Sequence, residues 1–240
     1  MSGHSRWAKL KHFKGILDAK KSALFSKLSQ LIAVAAREGT DEKTNFKLRL
    51  AIEKAKAANM PKENIERAIL RGSGKIEGAK IEEVIYEVFG PEGVAIVIEA
   101  LTDNKNRTLS NLRRILNQFG GRLGERNSVL RLFERRGIIR IVNWQKSISN
   151  LSELELKAID YGAEDIKEED DELVIYTKPE NLQKTKEGLE KEGIKIDYAE
   201  VEWFPLNPIK VNEETEKKIN ALLAKLDEDP DINDYYTNIQ

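Results

Sequence analysis

Hydrophobic periodicity changes once along this chain, at the run Gly72-Ser73-Gly74-Lys75, and that change limits the fold more than any other feature. Before it, apolar residues recur at three- and four-residue intervals. Leu17, Leu24, Leu28, Leu31, Ile32 and Ala35 form one such set, stopped by Gly39. Leu48, Ala51, Ile52 and Ala55 form a second, ended by Asn59, and Ile65, Ala68 and Ile69 a third, opened by Pro61. These spacings predict helices over 17–37, 46–58 and 61–71, a three-helix unit. The Gly-Ser-Gly-Lys run lacks the spacer and the Ser/Thr of a phosphate loop, so it reads as a hinge that lets the helical unit reorient.

Beyond residue 75 the pattern is that of strands. Residues 84–89 and 94–101 flank Gly90-Pro91-Glu92-Gly93 as a hairpin. Thr108 is placed to cap a helix that carries Leu109, Leu112, Ile115, Leu116 and Phe119 inward and ends at Gly120-Gly121. Short strands follow at 128–133 and 138–142, joined through Arg135-Arg136-Gly137. The series then restarts as helix 152–161, strand 173–177, helix 179–191 and strand 194–201, an alternation that indicates a split βαβ sandwich. Helix 213–226 and strand 232–236 are too small to bury their own apolar face and must dock on an earlier domain. With 240 residues, two or three small domains are expected.

Composition removes most chemistry. The chain has no Cys and two His, His4 and His12, which excludes disulfides, thiolate nucleophiles, zinc fingers and iron–sulfur clusters. No apolar run approaches the ~18 residues of a membrane span, and Met1 leads into polar, basic sequence, so a cytoplasmic protein is expected. No nucleophile with its base and no metal cluster can be assembled, so the expectation is a non-enzyme with no cofactor and no small-molecule substrate.

The net charge of −1 hides a strong segregation. Residues 1–75 carry 17 Lys and Arg against 7 Asp and Glu, a net of +10; residues 76–150 carry 12 against 9, and residues 151–240 carry 11 against 25. Because salt screens charge beyond about 8 Å, the basic end attracts polyanions whatever the distant end carries. The implied partner is nucleic acid.

Within 4–14, Arg6, Lys9, Lys11 and Lys14 alternate with His4, His12, Trp7 and Phe13, combining phosphate contacts with stacking surfaces. A tail anchored on the bundle by Trp7 and Phe13 is the other reading. Lys20, Lys21 and Lys27 line the polar face of the first helix. The second and third helices could form a helix-turn-helix. Yet the outer face of the third offers Arg67 and Arg71 beside Glu63, with no Asn, Gln or Ser to read bases. A second cluster, Lys105, Arg107, Arg113, Arg114, Arg122, Arg126, Arg131, Arg135, Arg136 and Arg140, includes only Glu125 and Glu134 as acids. Its bias towards Arg suits phosphate, while salt bridges to the acidic third domain are the alternative. Asp165 and Glu168 to Glu172 read as a solvated loop.

Read in order, Ser2-Gly3-His4-Ser5-Arg6-Trp7-Ala8, Lys11-His12, Leu50-Ala51-Ile52-Glu53-Lys54-Ala55-Lys56-Ala57-Ala58-Asn59-Met60-Pro61, Leu101-Thr102-Asp103-Asn104-Lys105-Asn106-Arg107-Thr108 and Gly120-Gly121-Arg122-Leu123-Gly124 resemble the YebC/PmpR family over essentially the whole chain. The resemblance implies a multidomain α+β protein: a basic helical domain, 1–75; a central α+β domain, 76–142 plus 204–240, completed by the C-terminal segment; and an inserted acidic α+β domain, 143–203. Both α+β domains are expected to be ferredoxin-like sandwiches. It further implies a probable DNA-binding transcriptional regulator of the bacterial cytosol, with ribosomal RNA and a ribosome-associated translational role as the alternative. The residues expected to contact nucleic acid are His4, Arg6, Trp7, Lys9, Lys11, His12, Lys14, Lys20, Lys21, Lys27, Arg107, Arg113 and Arg114. Several positions depart from the family pattern. Phe13 and the pair Ser22-Ala23 lower the local charge, and Asn127 stands where Gly is usual, a replacement that tolerates the positive φ a turn there needs.

Overall fold

The computed structural model describes residues 18–78, 80–146, 148, 150–169 and 171–240. Three helices come first: α1 (Asp18–Ala35), α2 (Phe46–Ala57) and α3 (Lys62–Gly72). Leu28, Ile32, Leu48, Ile52, Ala55, Ile65 and Ala68 make their shared core, the residues that the helical spacing selects. Asn59 ends α2 in the left-handed region, φ 56°, as expected of it. Asn45 ties the first two helices together: its side-chain oxygen accepts from Leu48 N at 3.0 Å, and its Nδ2 donates to Ala35 O at 2.7 Å and Gly39 O at 2.8 Å. One buried amide thus satisfies orphan groups at two helix ends.

Of the residues read as a hinge, Gly72 is packed, while Gly74 and Lys75 are exposed. Gly72 lies inside α3, where a Cβ would stand 2.1 Å from Ala33 O, so only glycine allows α3 to cross α1 this closely. Ala33 also packs with Ile81 and Leu101, and the Arg37 guanidinium donates to Ile81 O. These three helices, the first sheet with its covering helices and the C-terminal segment form one compact unit, 18–132 with 207–240, and 133–206 form a second.

The first sheet has the order β3-β1-β2-β8, antiparallel throughout, from β1 (Glu82–Phe89), β2 (Ala95–Thr102), β3 (Arg122–Leu123) and β8 (Ile232–Thr237). Helices α4 (Lys105–Gln118) and α7 (Glu213–Asp227) cover one face, placing Leu112, Ile115, Leu116, Ile219, Leu222 and Leu226 over Val88, Ile96 and Ile98. The C-terminal segment thus completes this sheet. Thr108 is not the cap of α4. Asn104 is, accepting from Arg107 N at 3.0 Å, while the Thr108 hydroxyl is buried and donates to Asp231 Oδ2 at 2.7 Å.

The second sheet has the order β5-β6-β4-β7, from β4 (Phe133–Val142), β5 (Ala163–Glu169), β6 (Glu172–Thr177) and β7 (Tyr198–Pro205), with α5 (Leu151–Tyr161) and α6 (Leu182–Lys191) in the chain order βαββαβ. Every neighbouring pair is antiparallel, the ferredoxin-like arrangement. Three expectations need correction here. Arg135-Arg136-Gly137 is not a turn but the middle of β4, with Gly137 fitted beneath Thr177 and Leu182, where a Cβ would meet Thr177 Oγ1 at 2.2 Å. Because β4 pairs with β6 and β7, the inserted unit begins at 133, ten residues before the expected 143, and runs to 206. The acidic run is not all loop: residues through Glu169 form an edge strand, a place where outward charges are tolerated, and Glu172 opens β6 buried. No helix among the described residues is long and apolar enough to cross a membrane.

Candidate nucleic-acid interface

His4, Arg6, Trp7, Lys9, Lys11, His12 and Lys14 lie outside the described residues. Lys20 stands in the first turn of α1, and Lys21 beside it is exposed. Lys27 is committed elsewhere: half-buried, it donates from Nζ to Asp227 O at 2.9 Å, at the last residue of α7. An ammonium there meets a carbonyl that the helix leaves unpaired, and favours the negative end of its dipole.

Arg107 is committed too. Its Nη2 reaches Asp231 Oδ1 at 2.7 Å and Oδ2 at 2.9 Å, its Nε reaches Oδ2 at 3.2 Å, and Nη2 also pairs with Asp103 at 2.8 Å. Asp231, with 3% of its side chain exposed, raises the Arg107 pKa by that hydrogen bonding and adds its Oδ2 to a buried cluster with Thr102 and Thr108. Residues 227–231 therefore recruit two of the expected phosphate contacts, Lys27 and Arg107, for tertiary structure.

Arg113 and Arg114 are different. Both are exposed on the outer face of α4, and no acid among the described residues pairs with either. The whole of α4, KNRTLSNLRRILNQ, contains no Asp or Glu. Its exposed positions Asn106, Ser110, Asn117 and Gln118 put amides and a hydroxyl beside the guanidinium groups. That mixture supplies both charge for phosphates and hydrogen-bonding groups for base edges. The four polar companions were missed in sequence, although the absence of acid over fourteen residues was the signal.

The remaining cluster divides. Arg140 is buried between Glu172 at 3.2 Å and Glu169 at 3.5 Å, which is the salt-bridge alternative realised. Arg136 pairs with Glu134 and lies 4.9 Å from the Phe204 ring centroid; Arg135 lies over Trp203 at 5.4 Å and Arg122 over Phe89 at 4.6 Å. Arg126 and Arg131 are exposed. The loop that carries Arg126 is fixed by Glu87, whose carboxylate accepts the backbone N–H of Asn127 at 2.5 Å, Val129 at 2.7 Å and Leu130 at 2.8 Å. Asn127 takes φ 61°, so the departure from glycine there keeps the turn.

Comparison with known proteins covers nearly the whole chain. Residues 5–75 match the TACO1/YebC protein N-terminal domain, and residues 81–239 the TACO1/YebC second and third domain. A probable transcriptional regulatory protein of Pseudothermotoga lettingae is 51% identical over 100% of this chain and 94% of its own. One of the same description from Thermoanaerobacter pseudethanolicus is also 51% identical, over 100% of this chain and 97% of its own. The crystal structure of a conserved hypothetical protein from Aquifex aeolicus superposes with a TM-score of 0.82 at 45% identity, covering 93% of this chain and 91% of that one. With both domain models matched in order along one chain, the protein belongs to the TACO1/YebC family.

Proposed function

We propose that this protein is a non-enzymatic regulator of gene expression that binds nucleic acid through its basic N-terminal region and the outer face of α4. The observation that carries this reading is the acid-free helix α4, with Arg113 and Arg114 exposed and unpaired among the described residues. Two exposed guanidinium groups without a carboxylate partner among the described residues are free to make bidentate contacts to phosphates. The relatives from Pseudothermotoga and Thermoanaerobacter are described as probable transcriptional regulatory proteins, which agrees with regulation, and DNA is the ligand we propose. Lys27 and Arg107 drop out of the contact set because their donors are engaged within the fold.

A second reading keeps the surface and changes the ligand to ribosomal RNA. His4, Trp7 and Phe13 favour it, since stacking requires unpaired bases that duplex DNA does not present. Binding of the full chain to duplex DNA and its co-sedimentation with ribosomes, compared at equal salt, separate the two. Saturable duplex binding that weakens as salt rises is the expected result. Recovery with ribosomes and no duplex binding assigns RNA, and binding to neither contradicts both.

A further inference from the structure

Away from α4, the helical bundle and the first sheet leave a cleft of about 470 Å³ where α1, the end of α3 and residues 74, 76–78, 80 and 81 meet. That is within the ~300–1,000 Å³ range of small-ligand sites. Its lining mixes polar and apolar surface about evenly and is lopsided in charge. Arg37, Arg71 and Lys80 face Glu77 as the one acid of the wall. None of the three cations has a carboxylate partner among the described residues. Glu82, nearby, is already held by Lys105 at 2.6 Å, and that contact, with Arg37 and Lys80 behind it, lowers the Glu82 pKa.

The wall is built to keep these charges in place. The Arg37 guanidinium is anchored by donating to Ile81 O, which leaves its other N–H groups free of any carbonyl or carboxylate described. Arg71 lies across Gly78, where a Cβ would stand 2.8 Å from its Nε, so the absence of a side chain at 78 lets the guanidinium lie over the linker. Gly72 and Gly74 keep the adjoining backbone bare. The three cations outnumber Glu77, so an anion that joins them relieves their mutual repulsion, and planar guanidinium forks fit the oxygens of a phosphate better than they fit a spherical ion.

We propose that this cleft seats a phosphate group, supplied by the backbone of a bound nucleic acid or by a free nucleotide. The inference deepens the nucleic-acid reading by naming a second contact outside α4, and for its backbone source it rests on that reading.

The test is calorimetric titration of the full chain with sodium pyrophosphate, and separately with a duplex and a single-stranded oligonucleotide, for the wild type and the R71Q/K80Q variant. The wild type is expected to bind pyrophosphate saturably and the variant at least about tenfold more weakly, the loss expected from removing charge-assisted hydrogen bonds. Both substituted residues are exposed, and K80Q alone replaces the double variant if that one melts early. If pyrophosphate competes with the oligonucleotide and the variant weakens both, the phosphate is that of the backbone. If only pyrophosphate binding weakens, the source is a free nucleotide. Equal pyrophosphate binding by wild type and variant, or none by the wild type, overturns the proposal. A wild type that takes up pyrophosphate but no oligonucleotide instead defeats the nucleic-acid reading and leaves the cleft standing.

Discussion

Arg107 and Asp231 are 124 positions apart in sequence and share three hydrogen bonds, the shortest 2.7 Å, that clamp the start of α4 onto the segment joining α7 to β8. Asp231 is the buried partner and Arg107 the half-exposed one, 3% against 46%. The asymmetry predicts unequal substitutions. D231A removes the buried carboxylate that Thr102, Thr108 and Arg107 share and should cost about 2–4 kcal/mol in denaturant unfolding, while R107A, whose loss is partly made good by water, should cost about 1 kcal/mol. R107A should leave the salt slope of nucleic-acid binding unchanged. A reduced slope at an unaltered melting temperature would return Arg107 to the contact surface.

Asn45 acts through both ends of its amide, which N45D separates. Aspartate keeps the acceptor that caps α2 but cannot donate to Ala35 O and Gly39 O. If capping were the whole role, N45D would be neutral. With two buried carbonyls losing their donor, it should lower stability by about 2 kcal/mol, as N45A does. Thermal melts of the two variants against wild type decide between these.

Burial, and then the Asp227 carboxylate 3.0 Å away, push the Tyr235 phenol well above its ordinary pKa. In the unfolded chain it ionises near pH ~10, whereas in the fold it stays protonated. Its contribution is therefore complete below about pH 10 and declines as the pH rises towards the raised folded value, because there the unfolded state binds fewer protons than the native one. Y235F removes the ionisation. Chemical denaturation between about pH 9 and 11 should show wild-type stability falling more steeply than that of Y235F. Parallel curves would assign the alkaline loss to other groups.

Local signals made much of the fold legible and little of the site. The helical core of α1 to α3 and the left-handed Asn59 and Asn127 follow from spacing and from the tolerance of asparagine for positive φ. The acid-rich strand β5 was hidden because an edge strand needs little apolar content; in its pattern only Ile166 is a sizeable apolar side chain facing partly inward. Strand β4 runs beyond the expected strand 138–142 because Gly137 looks like a turn until Leu182, forty-five positions on, is seen to need the space, while the strand expected at 128–133 is turn and a single 3-10 turn until β4 begins at Phe133. At the site, composition identified the cations but not their commitments. Lys27 and Arg107 meet acceptors 200 and 124 positions away, and no window of sequence contains such a pair.

The salt dependence of binding by R113Q/R114Q tests the role of α4 most directly. Fluorescence anisotropy of a labelled duplex, read over a series of potassium chloride concentrations, gives the slope of log affinity against log salt. For the wild type this slope should be negative, and for the double variant shallower by about 1 to 2, the contribution of the two phosphates no longer neutralised. The melting temperature should stay put, since exposed charges change stability within about 0.5 kcal/mol. An affinity that ignores salt, or a double variant with the wild-type slope, would contradict the assignment of this helix to nucleic acid.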